Sequence, residues 1–144
     1  MRAKFGEHYP VGTRLSDMAK VLIVEDNPAN MTLATFLLEN AGHTALKATD
    51  AEAGVALARA EQPDLILMDI QLPGMDGLKA TALLKADPAT RDIPVIALTA
   101  LAMKGDEARI RAAGCDGYIA KPLSYKDFLA TISSELAKRA AGRA

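Results

Sequence analysis

Three carboxylates follow two short apolar segments of the sequence, and they carry its clearest chemical signal. Asp69 comes directly after the apolar residues 65–68, and Glu25 and Asp26 come directly after the largely apolar segment 20–24. If both segments are strands of one parallel sheet, the three acids meet at one edge, where like charges repel unless a cation or protons intervene. Oxygen ligands without His or Cys favour a hard cation such as Mg²⁺.

The elements that must position these acids follow from the pattern of apolar residues. Short apolar segments alternate with helical patterns along the chain, which predicts an α/β protein with a parallel sheet and helices on both faces. The predicted strands cover residues 20–24, 44–48, 65–68, 94–98 and 118–120. The second of these is mixed in polarity, as expected of an edge strand, whereas the central ones are continuously apolar and therefore buried on both faces.

Five helices are predicted from capping residues and from apolar periodicity. Pro28 suits the first turn of a helix, because its missing N–H needs no partner there, and Gly42 is expected to end that helix. Asp26 could act as the N-cap of this first helix, while Asp50 and Ser124 are the expected caps of the second and the last. The later helices are predicted at 51–60, from 77 or 78 to about 88, at 102–113 and at 125–138.

The composition excludes several classes of protein. The chain has 144 residues, enough for one domain, and its net charge of −1 with a pI of about 6.1 argues against direct nucleic-acid binding, which usually needs a basic surface. Cys115 is the only cysteine, so no internal disulfide can form. No segment approaches the ~20 apolar residues of a membrane span. We therefore expect no membrane association and a cytoplasmic location.

Further polar residues lie where other strands of the predicted sheet end. Thr99 follows the fourth strand, Lys121 and Pro122 follow the fifth, and Gln71 comes two residues after Asp69. Ligands of such sheets bind outside the carboxyl ends of the strands. Any one of these residues alone is most often a turn residue, a helix cap or solvated surface. Their combination at one edge requires all of those structural interpretations to hold together, and it favours a functional site.

The combined set of residues suits phosphoryl chemistry. Asp69 could act as the nucleophile, since aspartyl phosphates are known covalent intermediates. Mg²⁺ held by Asp26 and Asp69, with Glu25 assisting, would neutralise both the phosphoryl oxygens and the carboxylate repulsion. The Lys121 ammonium is a compact charge that suits one phosphoryl oxygen, and the Thr99 hydroxyl could donate to another.

These segments resemble the receiver domain of bacterial two-component response regulators. The resemblance covers residues 20 to about 138, and it is carried by VLIVEDN at 21–27, PDLILMDIQLPGMDGL at 63–78, IPVIALTA at 93–100 and YIAKP at 118–122. A narrower resemblance, to single-domain DivK-type cell-cycle regulators, rests on NM at 30–31, MDIQLP at 68–73, AMKGDE at 102–107 and GCD at 114–116. The family implies a CheY-like, flavodoxin-like fold, with five βα units and strand order 2-1-3-4-5.

The resemblance also implies specific roles for the acids and their neighbour Gln71. Asp69 would be the phosphoacceptor. Glu25, Asp26, Asp69 and the backbone carbonyl of Gln71 would bind Mg²⁺, for which Mn²⁺ can substitute. The residue two positions after Asp69 and the residue two positions after Thr99, here Gln71 and Leu101, tune the phosphate lifetime in similar domains.

The remaining positions of the motif would respond to the phosphorylation of Asp69. Thr99 and Lys121 would contact the phosphoryl group, and Tyr118 matches the aromatic switch, whose ring turns inward as Thr99 moves toward the phosphate. Lys121-Pro122 is often a cis peptide in this family, so that Pro122 has a structural role.

We expect the output to go through protein contacts, because no effector domain follows the last predicted helix. The family implies a surface made by the fourth helix, the fifth strand and the fifth helix. It also implies as partners a histidine kinase, a histidine phosphotransfer protein and downstream protein targets. In this interpretation residues 1–18 are a flexible extension, 19–140 the receiver domain and 141–144 a tail.

Three other interpretations compete with a terminal signalling switch. A phosphorelay intermediate would pass its phosphoryl group from Asp69 to a phosphotransfer histidine. A Mg²⁺-dependent phosphohydrolase of the haloacid-dehalogenase type would need an acid two residues after the nucleophile, where this chain has Gln71. An unphosphorylated scaffold would usually lack a residue of the site, and none is missing. We therefore expect no enzyme in the usual sense, beyond self-phosphorylation from phosphodonors and slow autodephosphorylation.

Overall fold

Five parallel strands and five helices alternate along the part of the chain that the computed structural model describes, residues 18–100 and 104–143. The strands are β1 (Lys20–Val24), β2 (Thr44–Ala48), β3 (Leu65–Asp69), β4 (Val95–Thr99) and β5 (Gly117–Ala120). The helices are α1 (Pro28–Asn40), α2 (Ala51–Glu61), α3 (Gly77–Ala86), α4 (Lys104–Ala112) and α5 (Tyr125–Arg143). The predicted extension apart from Met18, the first residues of the predicted fourth helix and Leu101 lie outside the described residues.

The strands form one sheet in the order β2-β1-β3-β4-β5, which confirms the expected fold class and topology. Val24 at the end of β1 pairs with Met68, and Asp69 at the end of β3 pairs with Leu98. Thr99, the last residue of β4, pairs with Ala120 at the end of β5. The carboxyl ends of four neighbouring strands therefore lie side by side.

Burial explains why the apolar segments became strands of this sheet. Every residue of β3 and β4 is buried, as is typical of parallel strands covered on both faces. The edge strand β2 is largely open to solvent, which fits its mixed composition. Alternate residues of the central strands pack into two cores. One core lies under α2, α3 and α4, and the other lies under α1 and α5.

The ends of α1 are fixed by local hydrogen bonds. The Asn27 side chain accepts a hydrogen bond from the backbone N–H of Asn30 at 3.0 Å, so the N-cap is Asn27, and the possible capping role of Asp26 is not found. At the other end, Gly42 adopts a φ of +94°, a conformation that favours glycine. The N–H of His43 donates to the carbonyl of Leu38, which closes the helix in a Schellman arrangement.

Several element boundaries differ from the sequence-based predictions. α3 ends at Ala86, before Pro88, because the residue preceding a proline favours extended backbone, and Asp87 is extended. α5 continues to Arg143 instead of ending near 138, so most of the predicted tail is helical. The segment contains several alanines, which have the highest helix propensity. β3 and β5 are each one residue longer than predicted, β4 is shifted by one residue, and α2 ends one residue later. Within the described residues, none of the helices has the length and apolar character needed to cross a membrane.

Candidate functional site

The three acids lie together at the carboxyl edge of the sheet. Asp69 is the last residue of β3, and Glu25 and Asp26 directly follow β1, its hydrogen-bonded neighbour. Carboxylate oxygens of the three residues lie within 4.8 Å of one another. Glu25 and Asp69 are buried, with 1% and 3% of their surface exposed, whereas Asp26 is exposed to solvent. The cluster is therefore reached from outside on the side of Asp26.

Lys121 is the cation of this cluster among the described residues. It follows β5, and its ammonium Nζ lies 2.9 Å from Glu25 Oε1 and 3.2 Å from Asp69 Oδ2. Two strands separate β5 from β1 in the sheet, and the long lysine side chain spans this distance. The Lys121–Pro122 peptide is cis, as the resemblance implied. Lys121 thus bridges the two buried carboxylates.

Backbone amides hold the two buried carboxylates in place. The N–H of Asn27 donates to Glu25 Oε2 at 3.1 Å, and the N–H of Gln71 donates to Asp69 Oδ1 at 2.9 Å. In each acid, one carboxylate oxygen therefore accepts a hydrogen bond from the backbone N–H two residues later, and the other oxygen faces Lys121. Charge-assisted hydrogen bonds of this kind are among the stronger ones in proteins.

The cluster changes the pKa values of its members in the directions expected from burial and charge. Burial raises the pKa of Glu25, and the adjacent Asp69 carboxyl raises it further, against the opposing effect of Lys121. For Lys121, burial by itself lowers the pKa, but the hydrogen bond to Glu25 and the charge of Asp69 outweigh it, so its pKa is raised. Lys121 therefore stays an ammonium at neutral pH.

The arrangement fits a divalent hard cation. Three carboxylates beside one ammonium leave two negative charges uncompensated when all four groups are ionised. The donor set of the cluster is oxygen alone, which suits Mg²⁺ better than a thiophilic metal. Asp26, Asp69 and Glu25 are the residues that could hold the ion. Participation of the Gln71 carbonyl stays a prediction.

Thr99 and Tyr118 occupy different positions relative to the cluster. Thr99 ends β4, beside Asp69 at the end of β3, and is 1% exposed. Tyr118 lies two residues before the end of β5 and is 37% exposed. The neighbouring Glu107 carboxyl of α4, through hydrogen bonding and charge, raises the pKa of Tyr118. Thr99 lies at the site's edge, and Tyr118 lies on the adjoining surface.

Gly77 is a site residue that sequence reasoning treated only as the start of a helix. A Cβ atom at this position would lie 2.1 Å from the carbonyl oxygen of Asp69 and 2.7 Å from Cα of Ile70. The first turn of α3 therefore rests directly on the backbone of the phosphoacceptor candidate, with Asp76 as the N-cap. The pair Asp76-Gly77 just after the loop was the available signal in the sequence. The contact between Gly77 and the Asp69 backbone depends on the fold.

Comparison with known proteins identifies the family. The family model described as the response regulator receiver domain matches residues 21–133. The chain belongs to the response regulator receiver domain family. Relatives named polar-differentiation response regulator DivK, from Brucella anthropi and Brucella ovis, are each 53% identical over 116 residues, which is 81% of this chain and 94% of each relative. The protein is thus a receiver domain of two-component signalling, similar to DivK.

Solved receiver structures agree with this assignment. The receiver domain of a sensor histidine kinase from Pseudomonas aeruginosa, with a magnesium ion coordinated in its active site cleft, is 34% identical with a TM-score of 0.78 and covers 83% of this chain and 98% of that one. A CheY-like receiver domain protein from Methanospirillum hungatei is 30% identical with a TM-score of 0.79, covering 87% and 98% of the two chains. Receiver domains of this fold therefore include one with Mg²⁺ at the active site.

We predict that Asp26→Asn increases the stability of the metal-free protein and weakens its response to Mg²⁺. The substitution removes one of three clustered negative charges, which should raise the free energy of unfolding by about 1 kcal/mol. Mg²⁺ should stabilise the wild type more than the variant, because a ligand that binds only the folded state stabilises it. Urea unfolding with and without Mg²⁺ measures both effects. The control is Asp92→Asn, which changes an exposed acid just before β4. An equal stabilisation of both variants by Mg²⁺ would contradict a metal site that includes Asp26.

We also predict that Gly77→Ala destabilises the fold and impairs the site together. The added methyl overlaps the Asp69 carbonyl, and forcing an atom into such a place costs about 1–3 kcal/mol. The movement should also slow phosphorylation of Asp69. Gly142→Ala, where no atom lies within 4 Å, is the matched control and should be neutral or slightly stabilising. Equal urea midpoints for the two variants would show that Gly77 does not support Asp69.

Proposed function

We propose that this protein is a single-domain response regulator of the DivK type, which accepts a phosphoryl group on Asp69 in a Mg²⁺-dependent reaction. The observation that carries the proposal is the Asp69 carboxylate, which lies 3.2 Å from the Lys121 ammonium and within 4.8 Å of two further acids. The identity with DivK relatives over most of the chain supports the same role. The site provides a nucleophile, positive charge and a place for a cation in one cluster.

The chemical step is an exchange of phosphoryl bonds at one carboxylate. An oxygen of Asp69 attacks the phosphorus of a phosphohistidine or of a small acyl phosphate, and the bond from phosphorus to the donor's nitrogen or oxygen breaks. The donor atom leaves with the bonding electron pair, and the product is an aspartyl phosphate. Asp26 and Asp69, with Glu25 and the Gln71 carbonyl assisting, would hold a divalent cation, which would supply positive charge for the phosphoryl oxygens.

The chain's own residues complete the environment of the product. Lys121, which pairs with both Glu25 and Asp69, transfers its contact to a phosphoryl oxygen, because the phosphoryl group carries about two negative charges. The Thr99 hydroxyl moves toward another phosphoryl oxygen. The surface of α4, β5 and α5 then changes through Tyr118, and this surface contacts the downstream protein.

An apolar patch on α1 supports a protein phosphodonor. The patch consists of Pro28, Ala29, Thr32, Leu33 and Phe36, which line a shallow groove on the outer side of the helix. Phe36 is 59% exposed, an unusual position for a large apolar side chain. The patch begins two residues after Asp26, so a partner that covers it lies beside Asp69. A histidine kinase or a histidine phosphotransfer protein is the partner we assign to it.

Phosphorylation of Asp69 can be tested by intact mass after incubation with Mg²⁺ and acetyl phosphate. We expect one added phosphoryl group on the wild type, none on Asp69→Asn, and one on the control Asp92→Asn. Addition of a chelator should abolish the wild-type adduct, because the uncompensated charges repel the donor. An adduct of equal yield on Asp69→Asn would contradict the proposal. If acetyl phosphate is inactive, a phosphorylated histidine kinase replaces it, and absence of transfer from both donors would also contradict the proposal.

We predict that Phe36→Ala slows phosphotransfer from a protein donor while leaving the reaction with acetyl phosphate unchanged. Loss of a central aromatic side chain from an interface commonly costs more than 1 kcal/mol, so the rate should fall about tenfold. Leu83→Ala on α3, where the leucine is 40% exposed, is the matched control and should have no effect on either reaction. Equal slowing with both donors would mean that Phe36 supports the fold and not docking.

A further inference from the structure

The first turn of α3 lies directly against the backbone around Asp69. The N–H of Gly77 donates to the carbonyl of Ile70 at 3.3 Å. A Cβ atom at position 77 would lie 2.1 Å from the carbonyl oxygen of Asp69, so the two backbones leave no space between them. The position of the Asp69 carboxylate therefore depends on where the first turn of α3 lies.

A buried hydroxyl holds this turn from the core side. Thr81 follows Gly77 by one helical turn, is fully buried, and donates its Oγ1 hydroxyl to the Gly77 carbonyl at 2.8 Å. A threonine inside a helix commonly bonds the carbonyl four residues before it. Here the acceptor belongs to the residue that contacts the Asp69 backbone. Because a buried hydroxyl without a partner is costly, Thr81 must keep this hydrogen bond.

The Thr81 hydroxyl is oriented in turn by Cys115, which lies between α4 and β5. The Cys115 Sγ atom donates to Thr81 Oγ1 at 3.8 Å. Burial raises the pKa of the Cys115 thiol, so the thiol keeps its proton at neutral pH. The backbone N–H of Cys115 donates to the carbonyl of Ile110 at 3.2 Å, which fixes Cys115 at the end of α4. Since the Thr81 oxygen accepts from the thiol, its own proton is directed to Gly77.

We propose that Thr81 is a positioning residue for the phosphorylation of Asp69. Its hydroxyl holds Gly77, and through Gly77 it holds the Asp69 backbone in the place from which the carboxylate reacts. The inference rests on the proposed function, in which Asp69 is the nucleophile. Thr81 touches none of the reacting atoms, but a small displacement of a nucleophile is enough to slow a reaction.

Thr90 provides a matched control near the other end of α3. Thr90 is buried, and its Oγ1 hydroxyl donates to the carbonyl of Leu84 at 2.7 Å. Thr81→Val and Thr90→Val each remove one buried hydroxyl that bonds a carbonyl of α3, so we expect similar shifts of their urea midpoints. The carbonyl bonded by Thr81 belongs to the turn that contacts Asp69, whereas Leu84 lies two turns further along the helix. A difference in reactivity between the two variants therefore separates positioning from general stability.

The first test is the rate of phosphorylation by acetyl phosphate and Mg²⁺, at a temperature at which all variants are folded. We expect Thr81→Val to react about fivefold more slowly than the wild type, the factor that corresponds to loss of one net hydrogen bond. Thr81→Ser keeps the hydroxyl and should recover most of the rate, and Thr90→Val should react as fast as the wild type. A wild-type rate in Thr81→Val, equal slowing in Thr90→Val, or a rate in Thr81→Ser as low as that in Thr81→Val would overturn the inference.

Hydrogen exchange of the Gly77 amide, followed by NMR, tests the role of Thr81 without any phosphodonor. We expect faster exchange in Thr81→Val than in Thr90→Val, because only the first variant loosens the turn that contains Gly77. Equal exchange of the Gly77 amide in these two variants would also overturn the inference. If this amide responds as expected but neither acetyl phosphate nor a phosphorylated histidine kinase modifies the wild type, the proposed function is contradicted and the support of the Asp69 backbone by Thr81 is not.

Discussion

The placement of three carboxylates around one ammonium is the constraint on which the rest of this structure depends. Two of the acids are buried, and burial of an ionised carboxylate is costly unless it is paired and hydrogen-bonded. Lys121 pairs with both Glu25 and Asp69, and backbone amides of the following turns bind the remaining oxygens. The compensation is incomplete, and the remaining negative charge is what would attract a cation.

The fold satisfies this constraint by aligning strand ends. The order of the parallel strands places β1 and β3 next to each other, so their terminal acids meet without any long loop. β5 lies at the edge, and only a side chain as long as that of Lys121 reaches from its end to Glu25. Gly77 lets α3 begin directly against Asp69. Tyr118 lies on this edge strand, three residues before Lys121, so the lysine that reaches Asp69 and the exposed tyrosine are placed by one element.

The sequence allowed prediction of the sheet and of the acids, because apolar strands and charged strand ends are local patterns. Two other features depend on tertiary distances and could not be predicted. The pairing of Lys121 with Glu25 as well as Asp69 requires the packed register of four strands. The contact of Gly77 with the Asp69 backbone requires the position of α3. The extension of α5 beyond residue 138 was not predicted, although its alanines were an available signal.

The most direct test of the account is a crystal structure of the protein with Mg²⁺ and beryllium fluoride. The account predicts a fluoride adduct on an oxygen of Asp69, with the metal bound by Asp26 and Asp69 and with the Lys121 ammonium moved from Glu25 to a fluoride. A structure at saturating ligand in which Asp69 is unmodified and Lys121 still pairs with Glu25, or in which the metal lies away from the three acids, would contradict the account.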